Sequence, residues 1–394
     1  MDELRSPGIH HTESEEPRAI LERCYKSAIA RYEPLIDDKR FREICGASNR
    51  APARFLLACL LAKIHKPEID IRKPYTEIGT KDCYSGRTYD EKHLQPFITK
   101  YNLPLNRTTA FLTPAFRTFN QPIYADTRLS GKPKSLYEAL VSLLQDIHQG
   151  VQEGKYSAED YLTEVLRLLV SLRKQQEQAI QERLQRITVS DRELTAQQII
   201  EIISAHLQMP RSSRLPVLII AAVYDTVKDL IGKRYVRLLS HTAADKPSQS
   251  LGDLEIEITS HSKIYAVYEI KARAISQDDI DSAIHKITLY SEPPKEYVFV
   301  STKPIAQKIL DYLREINRKP ISTEFHAFDC LDFLKYFLHI FHERRTLFLE
   351  NYKNLTLSEP ESAVPHELKE KLLELIESTS VQSDSPPEPT TKGV

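Results

Sequence analysis

The segment Gly252-Asp253-Leu254-Glu255-Ile256-Glu257 is followed, after a gap of hairpin size, by Tyr268-Glu269-Ile270-Lys271-Ala272-Arg273. With 253–258 and 264–270 as adjacent antiparallel strands, period-two alternation places Asp253, Glu255 and Glu257 on one face of the first strand. Glu269 and Lys271 then share one face of the second. An Asp and a Glu converging from neighbouring strands, with a Lys two residues beyond the Glu, suit the hydrolysis of a phosphodiester. Carboxylate oxygens are hard ligands for Mg2+, which polarises a scissile phosphate and lowers the pKa of a bound water. Asp253, Glu269 and Lys271 are therefore the candidate catalytic residues, with Asp253 and Glu269 the candidate metal ligands. Lys271 would orient the water or stabilise developing negative charge.

The plainer reading is that these are solvated outer faces of an amphipathic hairpin, because charges alternating with Ile, Leu and Val describe any half-exposed strand. On the bare D…ExK spacing that reading has the better claim. Two features weigh against it. Gly252-Asp253 follows a polar loop, HTAADKPSQS, as expected where a chain reaches an active-site edge. The strand AVYEIKA is also largely apolar on its other face, so the charged pair sits at the end of a buried element, where charges are unusual without a partner or a metal.

The elements that must position these residues can be read outward from the hairpin. Strand-like runs YVRLLS, DLEIEITS and KIYAVYEIKAR are followed by a helix over Gln277 to Tyr290, a strand over Glu296 to Thr302 and a helix over Ile305 to Ile316. FHAFDCLDFLKYFLHIFHERR then starts as a strand and continues as a helix. A β-meander followed by strand, helix, strand and helix predicts an α/β arrangement, a mixed sheet covered on both sides. Upstream, the chain is mainly helical. Glu16 to Lys66 has helical character, with Pro52 at the start of its second apolar run, and Leu136 to about Arg186 repeats apolar residues at helical spacing. Asp191 or Ser190 is placed to cap the helix TAQQIIEIISAHL, and Pro216 opens a further helix closed by Gly232. Between these helices, Pro67 to Lys134 is rich in Pro, Thr, Tyr and Asn, with a dense set of donors (Lys73, Tyr75, Thr76, Lys81, Tyr84, Ser85, Arg87, Thr88, Tyr89, Lys92) and little periodicity. The expected organisation is a loose tail over 1–15, a mainly helical region over 16–190 and a catalytic core over 191–350. A C-terminal helical extension over 351–377 and a disordered tail over 378–394 complete it.

Composition bounds the function without choosing it. Lys and Arg number 54 against 55 Asp and Glu in 394 residues, so a histone-like basic protein is excluded, though a locally basic groove is not. The five cysteines are widely spaced with no C-x-x-C pair, which indicates neither a zinc knuckle nor a disulfide framework. The polar start and the absence of an apolar run of spanning length predict a cytoplasmic protein with no membrane partner.

Asp253-x(15)-Glu269-x-Lys271, on a strand pair followed by a helix and the strand EYVFV, resembles the PD-(D/E)XK nuclease core shared by most type II restriction endonucleases. The wider blocks resemble the SacI-type restriction endonuclease family over about residues 20–350: LPVLIIAAVYDTV, HTAADKPSQSLGDLEIEI and YEIKAR, with KPYTEIGTKDCYSGRTYDEKHLQPFI and NLPLNRTTAFLTPAFR upstream. The signature's leading proline is replaced here by Gly252, which leaves the Asp itself in place. The resemblance implies an α/β restriction-endonuclease-like core behind a large, mainly helical N-terminal region. It further implies a bacterial or archaeal homodimer that cuts both strands of double-stranded DNA at a short palindrome with Mg2+, leaving 5′-phosphate and 3′-hydroxyl ends, with GAGCTC the candidate site. A twofold axis supplies the reason, since one reading surface repeated by a dyad reads a palindrome. A separate methyltransferase would protect the host, because this chain lacks a glycine-rich cofactor loop of the dinucleotide-binding kind.

Major-groove reading calls for Arg or Lys on guanine and for amide or carboxylate side chains on adenine or cytosine. The candidates, in segments expected to be loops (67–134), are Arg87, Asp90, Glu91, Lys92, Asn106, Arg107 and Arg117, each equally well an ordinary polar connector. Lys233, Arg234 and Arg237 are candidates for the DNA backbone. His241 would contact a phosphate or simply cap a surface. Glu201, ahead of the sheet, is a candidate third metal carboxylate, with a solvated helix residue the plainer reading. The alternatives are a structure-selective repair or junction nuclease on the same fold, a catalytically silent DNA-binding protein, and a helical interaction protein whose hairpin only looks catalytic.

Overall fold

A computed structural model describes residues 15–106, 108–117, 119–187, 194–236, 250–260, 263–320 and 322–383. Arg107, Arg237 and His241 lie outside the described residues, as do most of the two expected tails and the polar loop before Gly252. The chain divides into two compact units, Met1–Glu177 and Gln178–Val394, a division inside a helix and earlier than the boundary near 190 expected from composition.

In the first unit, α1 (Pro17–Ile29), α2 (Lys39–Gly46) and α3 (Ala51–His65) account for the helical character of the first third. The helix α3 is buried from Ala51 to Ala62 on every side, as expected of a helix that is apolar all round. The Pro67–Lys134 stretch is less loop-like than its composition suggests. A continuous helical run covers α4 (Gly86–Tyr89), a π-helical turn (Asp90–Leu94) and α5 (Gln95–Tyr101). Many of its donors serve the fold itself: Tyr75 and Tyr84 donate to the Phe116 and Ile71 carbonyls, Lys73 pairs with Asp82, and Tyr89 bonds His65. The region 136–186 is two helices, α6 (Lys134–Gln152) and α7 (Ala158–Ile187), separated at Gly154, whose φ of +69° a residue without Cβ adopts freely.

The second unit is built on one five-stranded mixed sheet in chain order: β1 (Lys233–Tyr235), β2 (Leu254–Ile258), β3 (Lys263–Lys271), β4 (Glu296–Ser301) and β5 (Glu324–Asp329). β1–β2–β3 is an antiparallel meander, and β4 and β5 add in parallel. Helices α10 (Gln277–Thr288) and α11 (Gln307–Asn317) make the parallel crossovers and cover one face, packing on Val267, Tyr297, Phe299 and Phe325. Five helices pack on the opposite face, where Leu254, Ile256, Ala266, Tyr268, Val298 and Val300 meet them. These are α8 (Ala196–Leu207), α9 (Leu215–Ile231), α12 (Cys330–Ile340), α13 (Arg345–Ser358) and α14 (His366–Ser383).

This is the α/β fold expected, with three corrections. The N-cap of α8 is Thr195, in a reciprocal capping box with Gln198, whereas Ser190 and Asp191 lie outside the described residues. The expected C-terminal extension is part of the core, because α13 and α14 supply Phe348, Tyr352, Leu368 and Leu372 to it. Finally, α14 continues to Ser383, past the change in composition at Ser378.

Candidate active site

The three candidate catalytic residues come together at the carboxyl end of β3. The pairing Leu254↔Tyr268 continues backward, so that the Asp253 amide donates to the Tyr268 carbonyl at 2.9 Å and stands beside Glu269. One Asp253 carboxylate oxygen accepts from the Ile270 amide at 2.7 Å. Glu269 and Lys271 follow Val267 on the face covered by α10 and α11, and Lys271 Nζ lies 2.7 Å from Glu269 Oε1. Their side chains keep 16% and 23% exposure, enough to be reached from solvent, at the end of a strand whose buried stretch is Ala266 to Tyr268.

Electrostatics separates the carboxylates. Burial raises the Asp253 pKa, the Ile270 amide bond opposes that shift, and the neighbouring Glu269 charge adds to it. An acid held this way, with its ionised form disfavoured, is suited to a positive ligand. Asp279 behaves oppositely: a two-pronged bond from Arg273 holds its carboxyl far below the usual range, with the Ser276 amide and hydroxyl assisting. Asp279 is the N3 residue of α10 and stands 3.9 Å from Lys271 Nζ, so the lysine lies between two carboxylates.

The remaining acids of the hairpin are engaged elsewhere. Glu255 accepts from the Ser250 hydroxyl and the Leu251 amide, which fixes the turn leading to Asp253. The register shifts between Ile256 and Glu257, and Glu257 is buried against Arg234 at 2.6 Å. Glu201 does not join the pair. It is exposed on α8, accepting from Gln197, and among the described residues no three His, Cys, Asp or Glu side chains form a metal cluster. What the site offers a cation is two carboxylates, Asp253 and Glu269, a hard-oxygen set suited to Mg2+, which binds through one or two carboxylates and keeps several waters.

Residues 191–301 match the family model of the SacI restriction endonuclease C-terminal domain. Over that stretch the chain is similar to a SacI-type restriction endonuclease domain. The match runs from the approach to α8 through the last residue of β4, and so includes Asp253, Glu269 and Lys271 with the strands that hold them. A domain of this kind belongs to nucleases, hydrolases that act on DNA, and so supports a nuclease reading of this segment. Comparison with curated proteins gives no relative. Among the described residues, no helix is long and apolar enough to cross a membrane.

The candidate DNA contacts fare unevenly. Asp90 is not a base reader: at 0% exposure it is paired with the equally buried Arg54 at 2.5 Å, and its second oxygen accepts from Thr109 and the Ala110 amide. Arg54 also bonds Gln95 and the Asn106 carbonyl, so Asn106 is tied through its backbone. Arg87 and Glu91 are exposed and paired with each other, one helical turn apart. Lys92 and Arg117 are exposed. Lys233 lies over the Tyr265 ring, 3.5 Å from its centroid, and Arg234 is exposed beside Glu257. Sequence reasoning missed Asp279 and Tyr297, the latter placing its hydroxyl 3.3 Å from Glu269 Oε2. The S-x-x-D capping pattern before α10 was the available signal for Asp279. Tyr297 had none, since an aromatic in a β-strand is ordinary.

Proposed function

We propose that this chain is a type II restriction endonuclease that hydrolyses phosphodiester bonds of double-stranded DNA at a short palindrome, with GAGCTC the candidate site. It does so with Mg2+ and leaves 5′-phosphate and 3′-hydroxyl ends. The observation that carries this reading is the convergence of Asp253, Glu269 and Lys271 inside the segment that matches the SacI-type domain. In this reading Asp253 and Glu269 hold the cation. Bound there, Mg2+ would supply Lewis-acid polarisation of the phosphate and a more acidic water. Lys271, fixed by Glu269 and near Asp279, presents its ammonium where charge develops on the phosphate oxygens or holds the attacking water in line. Water oxygen bonds to phosphorus, the bond to the 3′ oxygen breaks, and that oxygen leaves with a proton.

Among its described residues, a single polypeptide carries one such site. Cutting both strands of a palindrome therefore calls for a homodimer with a dyad matching that of the DNA, and a separate methyltransferase would keep the host genome uncut.

The test is incubation with unmethylated phage DNA, with Mg2+ or with EDTA. Discrete bands that need Mg2+ are expected, and sequencing their ends gives the site and the cut position. A ladder from branched or damaged DNA alone would point instead to a structure-selective nuclease. Asp253→Ala, Glu269→Ala and Lys271→Ala should each abolish cutting while retaining specific binding in a gel shift. Wild-type cleavage by any one of them would remove that residue from the mechanism.

A further inference from the structure

We infer that Tyr297 is a positioning residue for both carboxylates, its one hydroxyl lying between the Glu269 side chain and the turn that delivers Asp253. This inference rests on the nuclease reading above. Tyr297 is 0% exposed, and its ring packs beside Phe299 and Phe325 with centroids 5.2 and 5.8 Å away, so the hydroxyl has a fixed place. It lies 3.0 Å from the Leu251 carbonyl and 3.3 Å from Glu269 Oε2. Leu251 precedes Asp253 by two residues in a turn pinned from its other side, where the Leu251 amide and the Ser250 hydroxyl bond Glu255 and that same hydroxyl bonds the Gly252 carbonyl.

A hydroxyl has one proton, so it donates to one of these acceptors at a time. That allows a handover. With Glu269 free, Oε1 rests on Lys271 and Oε2 within reach of Tyr297, which sets the rotamer. When a cation claims Glu269, the proton of Tyr297 stays satisfied by the Leu251 carbonyl, and no buried donor is stranded. The same bond holds the approach to Asp253. Packing alone would be served equally well by phenylalanine, the residue at the two neighbouring ring positions.

The experiment compares Tyr297→Phe with the wild type in three measurements: Mn2+ binding followed by paramagnetic resonance, the Mg2+ dependence of DNA cleavage, and the melting temperature. Phe299→Leu, in the same apolar layer, controls for packing. Tyr297→Phe is expected to raise both metal midpoints roughly fivefold, the scale of the one hydrogen bond to the Leu251 carbonyl that holds the approach to Asp253 when metal is bound, while cleavage at saturating Mg2+ stays close to the wild type. Phe299→Leu should melt earlier with metal midpoints unchanged. A Tyr297→Phe protein that does not fold, or folds with wild-type midpoints, assigns the hydroxyl to the core and overturns the inference. If the wild type neither binds Mn2+ nor cuts DNA, it is the nuclease reading that falls.

Discussion

Arg54 and Asp90 illustrate how one residue can carry two opposite readings in sequence. In a stretch poor in periodicity and rich in donors, Asp90 resembles a base reader. In the fold it is the counter-charge of a fully buried arginine, and the pair ties α3 to the π-helical turn and to the segment holding Asn106, Thr109 and Ala110. Breaking a buried pair leaves an uncompensated charge. Asp90→Ala is therefore expected to cost about 3–5 kcal/mol in urea unfolding, whereas Arg87→Ala, on an exposed pair, should cost less than about 1 kcal/mol. A stable Asp90→Ala protein with altered site preference would restore the base-reading role. The convergence of Asp253 and Glu269 was legible because it depends on local spacing, which alternation along a strand preserves. Asp90 was not, because its partner lies 36 residues away and nothing between them shows that they meet.

At the scale of elements, strands and crossover helices followed from alternation and helical spacing, and a mixed sheet followed from a meander succeeded by strand–helix repeats. The turn 250–253 could not. A Cβ on Gly252 would stand 2.5 Å from Val267 Cγ1 and 2.8 Å from the Tyr268 carbonyl oxygen, which is backbone within a strand. The absence of the proline typical of the related signature is thus matched by a backbone approach that leaves no space for its ring. In Gly252→Pro the turn, not the sheet, should yield and carry Asp253 with it. Misplacement of a reacting group by about 1 Å costs on the order of 100-fold in rate, so a loss of that size in cleavage is expected, with far-ultraviolet circular dichroism unchanged. Cleavage at the wild-type rate would show that the turn has slack.

The whole molecule has separate cores. The apolar cluster of Met1–Glu177 shares no residue with the two clusters that sandwich the sheet. Calorimetry should resolve two transitions, and a single cooperative one would contradict this. Acid should act on the second through His206, fully buried on α8 between the Tyr352 hydroxyl and the Leu368 carbonyl and so a tie among α8, α13 and α14. Burial pushes its pKa down to about 4, so the folded state keeps it neutral while the unfolded chain takes up a proton from about pH 6.5 downward. The stability it supports is complete above pH 6.5 and is lost towards pH 4, by about 3 kcal/mol. His206→Gln should flatten that dependence.

Because the strands lie side by side in the order in which they are translated, the sheet can grow at one edge as the polypeptide leaves the ribosome. Asp253, Glu269 and Lys271 emerge with the hairpin of β2 and β3, but Tyr297 arrives only with the fourth strand, and the partners of His206 later still. A newly made chain therefore exposes its acids well before it can hold them in place, and a cell synthesising this nuclease meets the finished blade only after the C-terminal helices have docked.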